Sequence, residues 1–177
     1  MSYDLMVFEA SAAPRDRERF EQWYRKQTEW TEHHNYDDPS VSSPALRNWY
    51  DAITQAFPNM NSPELSDEDF DTSRPSDYSV GTNVIYAAFA WTEAENAYSL
   101  ARRLAVENAV GFYDVSDDQG GQEIYFPGDE LRPPSNGQWR QVAADFRSGD
   151  VNKYIPGDFP QEAPPKRSWF DIFRRKK

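Results

Sequence analysis

The chain has no cysteine, so disulfide bonds, thiolate catalysis and Cys-ligated zinc or iron–sulfur clusters are excluded. It also lacks any run of about 18 apolar residues, the length that a membrane-spanning helix requires. The opening sequence MSYDLMVFEA has neither the basic region nor the long apolar region of a signal peptide. We therefore expect a cytoplasmic protein.

Several motifs of catalysis and cofactor binding are missing as well. No G-x-S-x-G motif presents a nucleophilic serine. The Gly120-Gly121 pair lies in a predicted hairpin and not before a helix, so it does not form a phosphate-binding loop. The acidic run DEDFD lacks the glycine and the terminal glutamate of an EF-hand loop. The sequence therefore predicts no cofactor.

Aromatic and acidic residues, by contrast, are abundant. Aromatic side chains make up 15% of the 177 residues, so one domain can build an aromatic-rich core although the hydrophobic content is only 38%. The net charge is −11, but residues 166–177 carry +5, which leaves about −16 on the other residues. Such a body repels nucleic acid and acidic membranes and favours a basic protein partner. Simple solubility is the competing explanation of the charge.

Residues 84–91 (VIYAAFAW) predict a strand in the centre of a sheet. Both alternating faces of this strand are apolar, so we expect both faces to be covered. Thr92 and Glu95 then match a capping box, which predicts a helix that continues to Asn108. The stripe of this helix that we expect to pack on the sheet is Ala94, Ala97, Ala101, Leu104 and Ala105.

The N-terminal third of the chain predicts a strand and two helices. Residues 3–10 alternate as a strand, and residues 14–32 carry aromatic side chains at helical spacing. Ser43 is the expected N-cap of a second helix, which begins at Pro44 and is stopped by Pro58. We expect both aromatic stripes to pack into the core.

Further short strands are predicted at residues 77–81, 110–115 and 123–127, with a hairpin connection at residues 117–122. The order of these elements predicts a single-domain α+β fold with a mostly antiparallel sheet. Helices pack on one face of that sheet, as in an elaborated split βαβ-like sandwich.

A last helix is predicted at residues 138–147, capped by Ser135 or Asn136 and ended by Gly149. We expect it to cover the other face of the sheet, and the sequence after it is rich in proline. The predicted organisation is a globular domain at 1–127, a helical extension packed on it at 128–149, a proline-rich linker at 150–165 and a basic-aromatic tail at 166–177.

Four short motifs resemble a group of small, acidic, uncharacterised bacterial proteins that is associated with the immunity proteins of polymorphic toxin systems. These motifs are MSYDL, VIYAAFAW, GFYDVS and IYFP, and the resemblance covers residues 1–127. They are core and hairpin motifs, so they carry no functional residue over to this chain. The resemblance implies a cytoplasmic protein that binds another protein.

A cluster of potential metal ligands follows the first helix. Next to Glu32 lie His33, His34, Asp37 and Asp38, and imidazole and carboxylate groups are ligands for zinc, iron or manganese. Adjacent histidines, however, point in different directions in most backbones. A polar loop at the end of a helix is therefore the competing interpretation, and we expect substitution of either histidine to leave function intact.

The acidic run between the second helix and the next strand is the candidate for partner binding. We expect an exposed loop here, whose carboxylates cover a basic cleft on the partner. The predicted contact residues are Glu64, Asp67, Glu68, Asp69 and Asp71.

Asp114 interrupts an apolar alternation with Val110 and Phe112. A carboxylate at this position lies either at a solvated strand end or in a buried site, and the sequence favours the solvated end.

The C-terminal tail places aromatic residues beside basic ones. It is typical of an interfacial membrane anchor, of a peptide that docks in an acidic groove, or of a solubilising terminus. The predicted contact residues of the tail are Trp169, Phe170, Phe173, Arg174 and Arg175.

Together these patterns predict a non-enzymatic immunity or inhibitor protein that binds and occludes a cognate bacterial toxin, with no nucleic acid as a partner. Two alternatives remain open. One is a small enzyme or metal-binding protein that uses the histidine and aspartate cluster, and the other is a peripheral membrane adaptor that uses the tail.

Overall fold

The computed structural model describes residues 2–63, 65, 72, 74–117, 122–134, 137–151 and 154. These residues form one antiparallel sheet with helices against it, which confirms the predicted α+β class. In chain order the elements are β1 (Tyr3–Phe8), α1 (Arg17–Gln27), α2 (Pro44–Ile53), β2 (Asp77–Val80), β3 (Val84–Phe89), α3 (Ala94–Glu107), β4 (Gly111–Tyr113), β5 (Ile124–Tyr125) and α4 (Trp139–Ser148).

The strands lie in the order β2-β3-β1-β4-β5, so β1 occupies the centre and pairs with β3 and β4. Because β3 is antiparallel to both β1 and β2, those two strands run parallel with β3 between them. This is the strand arrangement of a split βαβ unit, to which β5 is added at one edge. The predicted strand at residues 84–91, whose regular part is β3, is an inner strand next to the centre, which β1 occupies instead.

The larger core lies on the face of the sheet that carries α2, α3 and α4. Tyr3 and Leu5 of β1 meet Trp49 of α2 and Trp139 of α4 here, and all four are at most 1% exposed. The predicted alanine-rich stripe of α3 packs against this face, with Leu104 the most exposed member at 7%. Short alanine side chains allow α3 to approach the sheet closely.

A second, smaller core lies on the opposite face and is covered by α1. Met6 and Phe8 of β1 point to this side, where the ring centroid of Phe8 is 5.1 Å from those of Phe20 and Phe126. The expectation that helices cover one face, with residues 138–147 on the other, is therefore wrong. It is α1 that covers the second face, because its aromatic stripe supplies the side chains that fill this core.

The boundaries of α1 and the start of α3 differ from the sequence prediction. Asp16 caps α1 by accepting a hydrogen bond from the Arg19 backbone, and the helix ends at Gln27 before Trp30 adopts φ 52°. A 3-10 turn at Trp91–Glu93 precedes α3, which has no side-chain cap. The capping box is therefore wrong, because Thr92 lies inside this hydrogen-bonded turn.

The later elements agree more closely with the prediction. Gly149 ends α4 in the left-handed conformation with φ 79°, while the predicted caps Ser135 and Asn136 lie outside the described residues. β4 and β5 keep only the inner parts of the predicted strands. None of the described helices is both long and apolar enough to cross a bilayer.

Candidate functional site

The loop after α1 is fastened to the turn between β2 and β3 by Glu32. Its carboxylate accepts hydrogen bonds from the backbone N–H of Thr82, 3.0 Å away, and from Nε2 of His34, 2.9 Å away. Burial opposes ionisation of this group, but the hydrogen bonds from Thr82 and His34 hold the pKa of Glu32 below its usual value. The loop is therefore held in place by a charged hydrogen-bond acceptor.

The predicted metal ligands in this loop are not brought together. His33 is exposed, and the imidazole of His34 is hydrogen-bonded to the carboxylate of Glu32. Asp38 caps the short 3-10 helix Pro39–Val41 by accepting from the backbone N–H and hydroxyl of Ser40, at 2.8 and 2.7 Å. Within the described ranges, no group of three or more histidines and carboxylates is placed to hold a metal ion.

Three aspartates from separate segments lie near the outer edge of β2: Asp37 is close to Asp77, and Asp51 follows Tyr50, whose ring packs on Tyr78 of that strand. Asp77 lies on the strand, and Asn61 donates a hydrogen bond to its Oδ1 over 3.2 Å. Burial raises the pKa of Asp77 to about 6, and the nearby charge of Asp37 adds to this rise. Burial likewise raises the pKa of Tyr50, with contributions from Asp51 and Asp37. The acidic edge, as we call Asp37, Asp51 and Asp77, is a region of negative potential.

Two loops that contribute to the acidic edge are hydrogen-bonded to the side of β2 that does not pair with β3. Residues 58–60 bridge to Ser76, whose backbone N–H donates to Pro58 and whose carbonyl accepts from Met60. The carbonyl of Tyr36, next to Asp37, accepts from the backbone N–H of Val80 over 2.8 Å. These backbone bonds fix both loops to the sheet, so the acidic edge is a structured surface.

The predicted partner-binding acids Glu64, Asp67, Glu68, Asp69 and Asp71 lie outside the described residues, as do the tail contacts Trp169, Phe170, Phe173, Arg174 and Arg175. The acidic run nevertheless joins the chain between Ser62 and Arg74. That interval begins and ends beside the loop that bridges to Ser76. The acidic edge therefore stands at the base of the predicted binding loop.

No protein-family model, no curated protein and no solved structure matches this chain. The resemblance to immunity proteins consequently stays a prediction from the sequence.

A second noteworthy group is the carboxyl of Asp114, which is completely buried at the end of β4. The hydroxyl of Tyr3 donates to its Oδ1 over 3.1 Å, whereas Oδ2 has no hydrogen-bond partner among the residues that the structure describes. Burial raises the pKa of Asp114 to about 7, and the charges of Asp117 and Glu123 contribute to the rise. The expectation of a solvated strand end is wrong, because Asp114 follows the inward alternation of Phe112.

Glu123 links this buried region to α3. It accepts from the hydroxyl of Tyr98 at 2.5 Å and from Nε of Arg102 at 2.8 Å, and the Arg102 guanidinium also donates to the carbonyl of Arg132. Arg102 and Glu123 are each about 10% exposed, so they form a nearly buried ion pair. Substitution of either residue would leave the charge of the other one buried without a counter-charge, which destabilises the folded state.

Sequence reasoning missed most of this buried group. The inward alternation of Asp114 with Phe112 was the available signal, and it pointed to burial. Tyr3 and Trp139, which pack together with ring centroids 4.9 Å apart, are 136 positions apart by their numbers and share no local pattern.

Proposed function

We propose that this chain is a non-enzymatic cytoplasmic protein that binds a basic protein partner and occludes its active surface, as an immunity protein does with its cognate toxin. The observation that carries the proposal is the placement of Asp37 near both Asp77 and Tyr50, the residue before Asp51, at the base of the acidic run. These carboxylates come from three separate segments that the fold brings to the same side of β2.

The electrostatics of the acidic edge support a basic partner. Asp77 is partly desolvated and lies near Asp37, and both conditions disfavour its ionised form. A lysine or arginine delivered by a partner would reverse both effects, since an opposite charge stabilises the carboxylate. Binding should therefore lower the pKa of Asp77 and release a proton near pH 6.

Charge complementarity of this kind acts mainly on the rate of encounter. Long-range attraction speeds association at low salt, while close apolar contacts set the residence time. Neutralising Glu64, Asp67, Glu68, Asp69 and Asp71 should therefore slow association and flatten its salt dependence, with the fold intact. The acidic edge should act in the same direction because it lies at the base of the same segment.

The test begins with the tagged protein as bait in an extract of cells that naturally make it, at low ionic strength. A basic partner that co-purifies is then produced alone, and its activity is titrated with the bait. The proposal requires loss of that activity at a stoichiometric amount of bait. A partner whose activity is unaffected contradicts the proposal.

A matched pair of triple variants separates the acidic edge from net charge. The first carries Asp37→Asn, Asp51→Asn and Asp77→Asn, and the control carries Glu18→Gln, Glu29→Gln and Glu130→Gln. The control acids are exposed and lie elsewhere on the surface, yet the change in net charge is the same. Slower association of the first variant alone supports the acidic edge, whereas equal effects of the two variants assign the attraction to net charge.

The two alternatives receive less support. The enzyme or metal protein would need the histidine and aspartate side chains to converge, and the described loop uses His34 and Asp38 for other hydrogen bonds. The membrane adaptor depends on the tail residues, which lie outside the described part of the chain. Sedimentation of the full chain with anionic liposomes would favour the adaptor.

A further inference from the structure

Helix α4 is held on the domain by side-chain contacts that converge on Tyr3. Trp139, at its first position, packs on Tyr3 and on Tyr98 with ring centroids 4.9 and 5.3 Å apart. Further along, Phe146 stacks on Trp91 at 6.1 Å. These aromatic contacts make α4 a cover over one end of the larger core.

Ion pairs at the rim add to this attachment. Arg147 and Arg140 of α4 approach the carboxylate of Glu95 on α3, at 3.2 and 3.8 Å. Both contacts are partly exposed, so they contribute little to stability and are weakened by salt. The aromatic contacts therefore dominate the attachment of α4.

Tyr3 links Asp114 to this cover, since its hydroxyl donates to Oδ1 of Asp114 and its ring packs on Trp139 of α4. Within the described part of the chain, the buried Oδ2 of Asp114 and the buried Nε1 atoms of Trp139 and Trp91 have no hydrogen-bond partner. An unpaired polar atom in the core carries a desolvation cost that solvent would remove. Opening of α4 would expose the two indoles and admit water towards the carboxyl.

The charged and titratable groups that act on Asp114 are Tyr3 of β1 and Asp117 and Glu123 of the β4–β5 connection. Tyr98 of α3 and Arg140 of α4 act in turn on Tyr3, and Arg102 of α3 lies over the ring of Tyr98. Arg102 is engaged by Glu123, and Arg140 lies over the rings of Trp139 and Tyr98 at 4.4 and 5.3 Å. If Asp114 ionises, it becomes a third negative charge beside Asp117 and Glu123 in a site that is almost completely buried.

We propose that ionisation of Asp114 releases α4 from the sheet, so that α4 is a proton-operated cover over the aromatic surface formed by Tyr3, Trp91 and Tyr98. The sheet itself resists the change, because the backbone N–H of Asp114 donates to Glu123 within the β4–β5 pairing. α4 gives way first because the contacts described above, which hold it on the domain, are made by side chains. This device is independent of the acidic edge and goes beyond the proposed binding function.

The direction in which pH shifts the balance between closed and open α4 follows from the pKa of Asp114 in each form. Burial raises the pKa of Asp114 to about 7 in the closed form, and solvation in the open form returns it towards its ordinary value of 3.8. The closed form therefore binds the proton more tightly. The resulting advantage of the closed form is complete below pH 3.8, falls as the pH rises from there, and is lost above pH 7.

Hydrogen exchange by the full chain tests the proposal at pH 6, 7 and 8, with rates expressed as protection factors so that the intrinsic pH dependence is removed. Protection of α4 should fall about tenfold between pH 6 and 8, while protection of β1 and β3 should fall less. In Asp114→Asn, which keeps an acceptor for Tyr3, protection of α4 should not change with pH. The control Asp77→Asn, whose carboxyl lies at the β2 edge of the sheet, should behave as wild type.

Three results would overturn the proposal: protection of α4 that does not depend on pH, an equal fall in α4, β1 and β3, or a fall that persists in Asp114→Asn. The comparison of α4 with the two inner strands uses wild-type protein alone. It therefore decides the question even if the Asp114→Asn variant does not fold.

Discussion

The hydroxyl of Tyr3 donates a hydrogen bond to Oδ1 of Asp114 over 3.1 Å, between residues that are 111 positions apart in the sequence. The bond joins the start of β1 to the end of β4 inside the core. Burial raises the pKa values of both groups, that of Asp114 to about 7, but the hydrogen bond itself favours the ionised carboxylate. Tyr3 thus reduces the free-energy cost of ionising Asp114 in the core.

Tyr3→Phe should be more destabilising at alkaline pH than at acidic pH. The substitution keeps the ring contacts with Trp139 and Trp91 but leaves the ionised carboxylate of Asp114 without this donor. We expect a loss of about 1–3 kcal/mol in the free energy of unfolding at pH 8 and a smaller loss at pH 5. Urea unfolding at the two pH values measures both losses, and equal losses would show that Tyr3 does not stabilise the charge.

Phe89→Ala should be severely destabilising, as the doubly apolar strand predicts. Phe89 is 1% exposed and packs edge-on against Phe57 and Tyr78 with ring centroids 5.1 and 6.1 Å apart. Truncation of a buried phenylalanine costs about 3–5 kcal/mol. The matched control is Leu131→Ala, which removes a side chain of a residue that is 44% exposed. Thermal midpoints that fall equally in the two variants would be inconsistent with an inner position for β3.

Gly111→Ala should destabilise the second core by a steric clash. A Cβ atom at Gly111 would lie 2.2 Å from two ring carbons of Phe8, and Phe20 and Phe126 pack against that ring. We expect a cost of about 1–3 kcal/mol, typical of overpacking. In the background of Phe8→Leu, the same substitution should cost less, since the smaller side chain leaves room. Additive costs in this double-mutant cycle would argue against the clash.

His33→Ala and His34→Ala should differ in stability but not in function. His33 is exposed, so its removal should change stability by less than about 0.5 kcal/mol. Removal of His34 should cost about 0.5–1.5 kcal/mol, because Glu32 loses a hydrogen-bond partner. Elemental analysis of protein purified without added metal provides the decisive check. Stoichiometric metal that disappears in either variant would restore the metal-site alternative.

Much of the fold could be predicted because its signals are local. The apolar alternation of residues 84–91 and the alanine stripe of α3 identified an inner strand and its covering helix. The assignment of helices to faces failed for a physical reason: periodicity identifies the buried stripe of a helix but not the side of the sheet that it covers. Met6 and Phe8 required a second cover, and either α1 or α4 could have supplied it.

The candidate sites were harder to predict for a related reason. The acidic edge collects Asp37, Asp51 and Asp77 from a loop, a helix and a strand, so no spacing in the sequence marks it. Asp114 was recognisable as unusual, yet its hydrogen-bond partner Tyr3 lies 111 positions earlier in the sequence. Contacts between distant parts of a chain arise from topology, which local patterns do not contain.

The central position of β1 has a consequence for how the molecule assembles. Its six residues pair with β3, and the last three of them also pair with β4. The two halves of the sheet are therefore joined through a strand whose partners lie about 80 to 110 positions later. On the ribosome, β1 is synthesised before either partner strand. Its apolar side chains therefore remain unpaired with the sheet until β3 and β4 have emerged. Such distant pairings are associated with slow folding and with exposure of aggregation-prone surface. Newly made chains should thus be most vulnerable before β4 is complete, and a holding chaperone would act during that interval.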